Sequence, residues 1–184
     1  FNPGPIEHPQ VPLLMGAGLL IRTLENLQSV HLGFAKDNLL MLRADVQRAG
    51  YEESRRQALF ERLNERVRAT PGVSASAYSA YGALMSGDSS DEVAVEGYAP
   101  KGEDDRNSRY DHVGPGFFKA LGVPLLLGRE FDTRDHGSSP RVCVINEAFA
   151  KTFFAGRNPI GMHLTHLYGH QRNTYEVIGV AANH

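Results

Sequence analysis

Hydrophobic positions change their spacing several times along the chain, and each change predicts an element. From Glu52 to Ala69, Leu59, Phe60, Leu63 and Val67 recur at helical spacing while charged side chains fill the other faces. Thr70-Pro71-Gly72 then ends that helix. Strands are expected on both sides of it. Asn38–Val46 sets Leu42, Ala44 and Val46 against Arg43 and Asp45, and Val73–Tyr81 alternates small and aromatic residues. Strand, long helix, strand is the unit that makes a right-handed crossover. Further strands are predicted over Glu92–Tyr98, Ser108–Val113, Val123–Leu127, Arg141–Ile145, Met162–Leu167 and Thr174–Ala181, with a bend at Gly169–Asn173. Two short helices fall between them. One covers Phe117–Leu121 and is capped by Gly122. The other starts from Asn146 as N-cap, has Glu147 in its first turn, and carries Phe149, Phe153 and Phe154. Gly82–Asp91, Ala99–Asn107 and Asp132–Pro140 read as polar loops.

The start of the chain follows a different pattern. Leu13–Ile21 is apolar throughout and Arg22 follows it. A membrane crossing needs roughly 20 apolar residues, about twice this run. No basic stretch precedes it, as a signal peptide would require. Two readings stay open: the buried stripe of a soluble helix, or the outer end of a transmembrane helix that begins upstream. Leu20, Leu24, Leu27 and Leu32 continue at helical spacing with polar residues between them, which favours a helix leaving a bilayer. Residues 1–12 hold Pro-rich, aperiodic sequence and are expected to be a disordered lead outside the fold.

Composition narrows the function classes. The 184 residues are 41% hydrophobic and 22% charged, which supports a core and an ordinary soluble surface. A net charge of −2 gives no support to a nucleic-acid role. The mixed charges on the 52–69 helix read as a solvated face rather than an anion site. The single cysteine, Cys143, sits in the apolar run V-C-V-I and reads as a small core residue on a strand. No G-x-S-x-G elbow and no G-x-x-x-x-G-K-[ST] loop occurs, so neither a hydrolase nor an ATP site has a motif here.

His163, His166 and His170 lie close in sequence, but on a strand the first two face opposite ways, against a tetrahedral zinc site. Asp88 to Glu92 lacks calcium-loop spacing. No catalytic, cofactor or metal residue is therefore expected. Leu84 and Met85, apolar within a polar stretch, form a candidate partner contact.

Two packing phrases dominate the second half: V-G-P-G-F-F-K-A-L-G-V-P-L-L-L-G-R-E-F at Val113–Phe131, and V-C-V-I-N-E-A-F-A-K-T-F-F-A-G-R-N-P-I-G at Val142–Gly161. With L-L-M-G-A-G-L-L-I-R-T-L-E-N-L-Q-S-V-H-L-G-F from Leu13, D-N-L-L-M-L-R-A-D-V from Asp37, R-A-T-P-G-V-S-A-S-A-Y from Arg68, V-A-V-E-G-Y from Val93, Y-D-H leading into the first phrase from Tyr110 and Y-E-V-I-G-V from Tyr175, they are spread over nearly the whole chain. No single phrase is strict, but their joint order is specific. In that order they resemble the extracytoplasmic core domain of MacB/FtsX-type ABC transporter permeases, closest in flavour to the duplicated orphan permeases.

The resemblance implies a mixed α+β or α/β fold: a β-α-β membrane-proximal subdomain with an inserted β-rich subdomain. It divides the chain into the end of a transmembrane helix and stalk at 13–34, a first β-α-β part at 35–82, the inserted part at 83–170 and a returning strand at 171–184. It also implies that the membrane-proximal part is completed by chain beyond His184, so that it is incomplete within these residues, a gap that exchange between two chains would fill. The implied role is non-enzymatic: coupling transmembrane movement to export or to periplasmic partners from the bacterial inner membrane, with the domain facing the periplasm or cell exterior. The implied partners are a separate ABC ATPase, another permease half or second copy, a periplasmic adaptor, and the membrane itself through flanking helices. The alternative is a freestanding extracytoplasmic binding module for a peptide, lipid or adaptor protein.

Overall fold

The structure is a computed structural model that describes residues 22, 38–46, 48, 50–81, 90–100, 102 and 106–183. The chain divides into two units, Phe1–Leu32 and Gly33–His184, and everything below belongs to the second. The expected helical segment at 13–34 lies outside the described residues except for Arg22, as do Leu84 and Met85. No helix among the described residues is long and apolar enough to cross a membrane.

The fold is mixed α and β, as expected. Its elements in order are α1 (Glu53–Arg68), β1 (Ser90–Val95), β2 (Asn107–Arg109), α2 (Phe117–Leu121), β3 (Leu125–Gly128), β4 (Val142–Asn146), α3 (Glu147–Phe154), β5 (His163–Tyr168) and β6 (Gln171–Ala181). Local chemistry explains several boundaries. Asn146 caps α3 by accepting a 2.8 Å hydrogen bond from the Phe149 amide. Gly122 ends α2 in the left-handed conformation. Glu130 accepts from the Phe118 amide at 2.8 Å and so satisfies a donor that the five-residue helix α2 leaves free at its start.

β6 organises the sheet. Glu176 pairs with His163 of β5 and with Val142 of β4, so those two strands flank it on opposite edges. Val180 and Ala181 pair with β3 and β4 at once, so β3 follows β5 along the same edge. β5 continues outward to β1 and β1 to β2, all antiparallel, and among the described residues the β4–β6 pair alone is parallel. At the switch from β5 to β3, backbones come unusually close. A Cβ on Gly128 would strike the Ile178 carbonyl, and one on Gly179 would strike the Arg129 carbonyl. Gly128 also has φ 71°, which side chains resist.

Both faces of the C-terminal half of β6 are covered, and Val177 to Ala181 are all buried. One face packs Val93, Val95, Ile145, Leu164, Val177 and Val180 against Phe153 and Phe154 of α3. The other sets Ala181 among Phe117, Phe118, Leu121 and Val123. Arg157 lies 5.9 Å from the centre of the Phe154 ring and donates to the Glu96 carbonyl, tying the end of β1 to the end of α3.

The structure corrects several boundaries. Asn38–Val46 forms no strand. Leu40 and Leu42 are 79% and 81% exposed, and an alternating run stays irregular without a neighbouring strand to bond to. Val73–Tyr81 is extended but makes only the isolated bridge Ser79–Val113. The two flanks of α1 therefore do not pair into a ladder within the described residues. The Ser108–Val113 strand is shorter, because the chain leaves β1 after Arg109 and Gly114 donates to the Tyr78 carbonyl instead. Ser90 and Asp91, expected in a loop, begin β1. The expected bend at Gly169–Asn173 contracts to Gly169 and His170, since Gly169 at φ 55° lets Tyr168 pair with Gln171.

Candidate functional site

The α3-covered face of the sheet runs on past the end of its apolar core. Alternation along the strands decides what appears there. On β1 the sequence of that face is Val95, Val93, Asp91, and on β5 it is Leu164, His166, Tyr168. The register aligns Val95 with Leu164 and Val93 with His166, and on β6 places Tyr175, Asn173 and Gln171 alongside. One surface thus passes from aliphatic to polar and aromatic within two residue pairs.

Tyr110, just past β2, stands over this polar end. Its ring lies 4.5 Å from His166, 5.5 Å from His112 and 6.4 Å from Tyr81, tilted to them by 64°, 78° and 86°. Tyr81 is held in place because its amide donates to Asp111 at 3.0 Å. His166 Nε2 and Asp91 Oδ2 are 2.8 Å apart, with side chains only 13% and 19% exposed. Tyr110 also hydrogen-bonds to Asp91. Burial first, and then that bond and the Asp91 charge, push its phenol up to about 12, so the hydroxyl stays protonated and donates to the carboxylate. Between these groups opens a cleft of about 420 Å³, bordered also by Tyr168, Gln171, Asn173 and Tyr175.

The opposite face of the sheet carries a shallower polar depression of about 520 Å³ around Arg141, His163, Thr174 and Glu176. Beside its Gly137–Pro140 wall is a clasp of charges. Arg129 donates to both oxygens of Asp135 at 2.6 and 2.8 Å, and Arg134 holds Asp132 at 2.7 Å. The Arg129 guanidinium keeps the Asp135 carboxyl below the usual carboxylate range. The clasp fixes the loop after β3.

His163 and His166 lie on opposite faces of β5, as strand alternation requires, and His170 is in the hairpin turn. No cluster of three or more His, Cys, Asp or Glu side chains set to hold a metal occurs among the described residues. Asp91 and Glu92 of the acidic stretch project from opposite faces of β1. Cys143 packs at the margin of the α3 core. Burial, with a smaller contribution from Glu176, pushes its thiol up to about 12, so it is a protonated packing residue rather than a nucleophile.

The Asp91–His166–Tyr110 grouping was not legible from sequence. Its members come from three segments, and Asp91 and His166 are 75 residues apart. The one signal available was that β5 turns His166 away from His163, which places it on the core-side face.

The family model for the MacB-like periplasmic core domain matches residues 14–184. No curated protein matches. Among solved structures, the chain is similar to the periplasmic region of MacB from Actinobacillus actinomycetemcomitans, with 19% identity and a TM-score of 0.46 over 72% of this chain and 57% of that one. It is also similar to the extracellular domain of the noncanonic ABC-type transporter YknZ from Gram-positive bacteria, with 20% identity and a TM-score of 0.46 over 66% of this chain and 56% of that one. The chain thus spans less than two thirds of the length of either structure. Matched from residue 14 to residue 184, it belongs to the family of MacB-like periplasmic core domains.

Proposed function

We propose that this chain is the extracytoplasmic domain of an ABC-type permease of the bacterial inner membrane, coupling transmembrane movement to export or to periplasmic partners. The observation that carries this reading is the family match over 14–184, directly after the start of the apolar run Leu13–Ile21. The packing is compatible with it. A strand buried on both faces and wedged between two helices moves as a stiff body, which is what transmission of a displacement requires. A separate ABC ATPase subunit would supply the ATP-driven movement.

Another permease half or a second copy, and a periplasmic adaptor, complete the proposed assembly. Residues 35–82 would form the membrane-proximal part and residues 83–170 the inserted one, with Leu84 and Met85 as a contact for a partner.

Thiol labelling tests the placement. Cys143 is half-buried and protonated, so the native chain gives a low background. With Lys119→Cys in the full-length protein in intact cells, a membrane-impermeant maleimide should label the exposed position. Labelling only after lysis would overturn the reading.

The alternative, an extracytoplasmic binding module, is favoured by one observation, the aromatic cleft around Tyr110. If the natural protein were exported by a cleaved leader and released from the membrane, this second reading would replace the first.

A further inference from the structure

The cleft beside Asp91 combines features that the coupling role leaves unexplained. Four of the residues lining it are tyrosines: Tyr81, Tyr110, Tyr168 and Tyr175. Among the described lining residues Asp91 is the one carboxylate, and none is Lys or Arg. Tyr81 and His112 stand nearly perpendicular to Tyr110, at 86° and 78°. Rings meeting at right angles form the corner of a box, with the electron-rich face of one ring beside the edge of the next. Tyr168, at the rim, is 61% exposed.

The charge balance points the same way. Asp91 is largely buried and bonded to Tyr110 and His166, so its orientation is fixed before any ligand arrives. The Tyr110 phenol that bonds it stays protonated, and the described lining of the cleft adds no Lys or Arg beside it. A cation gains there twice, from the faces of the tyrosine rings and from the carboxylate behind them. An anion would meet the carboxylate with no Lys or Arg among the described lining residues to offset it, and a neutral apolar group would gain only the ring contact.

We propose that this cleft is a binding site for a cationic group, an alkylammonium or guanidinium, held by the Tyr81, Tyr110 and Tyr168 rings over the Asp91 carboxylate. The group is either a small organic cation or the side chain of a Lys or Arg presented by a peptide. The inference does not depend on the coupling role, because the cleft is read from its own residues.

The test titrates the 184-residue chain and follows the ring resonances of Tyr81 and Tyr110 by NMR. Absence of Trp also leaves tyrosine fluorescence as a second readout. The probes are tetramethylammonium, choline, the uncharged isostere of choline in which carbon replaces nitrogen, and the blocked single residues N-acetyl-lysine methylamide and N-acetyl-arginine methylamide. Saturable shifts with the cations are expected in the millimolar range, with the uncharged isostere about tenfold weaker. Tighter binding of the blocked residues than of choline would assign the group to a peptide, and the reverse order to a free amine.

Asp91→Asn should weaken binding about tenfold, and Tyr168→Ala about threefold. Tyr168 is at the rim, so that variant tests the cleft even if Asp91→Asn fails to fold. The proposal is overturned if the uncharged isostere binds as well as choline. It is equally overturned if Tyr168→Ala leaves the affinity unchanged, or if no cation shifts the rings up to about 100 mM, far above the range such contacts give.

Discussion

The C-terminal half of β6 and helix α1 are both apolar by pattern, yet they end in opposite situations. Every residue of β6 from Val177 to Ala181 is buried, between α3 on one face and α2 on the other. On α1, no described side chain is buried, and Leu63 and Val67 are each 41% exposed. The helix is held mainly at one place. Phe60 stacks on Tyr78 at 5.7 Å, and Asn64 accepts from Ser76 at 2.6 Å. A hydrophobic stripe therefore shows which way an element faces but not what lies against it. For β6 the cover comes from α2 and α3, which the chain sets against its two faces. For α1, the stacked ring and the side-chain hydrogen bond both come from the segment that follows it.

That contrast makes quantitative predictions. Phe154→Ala removes a ring with 0% exposure and should cost about 3–5 kcal/mol by urea unfolding. Gly128→Ala comes next, at about 2 kcal/mol or more, because it adds a Cβ against the Ile178 carbonyl at a positive φ.

Asp135→Asn should cost about 1–2 kcal/mol at neutral pH by breaking the Arg129 clasp. The pH dependence has a definite sign. The folded carboxyl lies below its unfolded value, so its contribution is present above the unfolded Asp pKa of about 3.9 and is lost as pH falls through the lower folded value. Wild-type stability should therefore drop on acidification below about pH 5, and Asp135→Asn should flatten part of that slope. Asn146→Ala removes the α3 cap, at about 1 kcal/mol. Leu63→Ala should be the mildest, below about 1 kcal/mol, since the side chain keeps much of its exposure in the folded chain. A cost for Leu63→Ala close to that for Phe154→Ala would break the comparison and show that the α1 stripe is covered in solution.

Legibility in the sequence followed the range of the forces involved. Helices α1, α2 and α3 were readable because their periodicity and caps act within a few residues, as with Asn146 and Gly122. β4, β5 and β6 were readable as alternating or continuous apolar runs. Asn38–Val46 alternates equally well and forms no strand, because a ladder needs a partner that alternation alone does not specify. The cleft was not readable for a related reason. Asp91, Tyr110 and His166 are joined only by the β1–β5 register and by the exit of the chain from β2. The family resemblance, by contrast, rested on the order of whole packing phrases, and that order survives local errors in strand ends.

The proposed coupling role has one most direct measurement. Spin labels at the exposed positions Lys119 and Arg172 report distances within the domain, and a label at Lys119 paired with one on the other permease half, or on Lys119 of a second copy, reports the distance between domains. In the proposed membrane-embedded assembly with an ABC ATPase, trapping with ATP should shift the distance between domains while the Lys119–Arg172 distance stays fixed. A distance between domains that is the same with and without ATP would contradict the account.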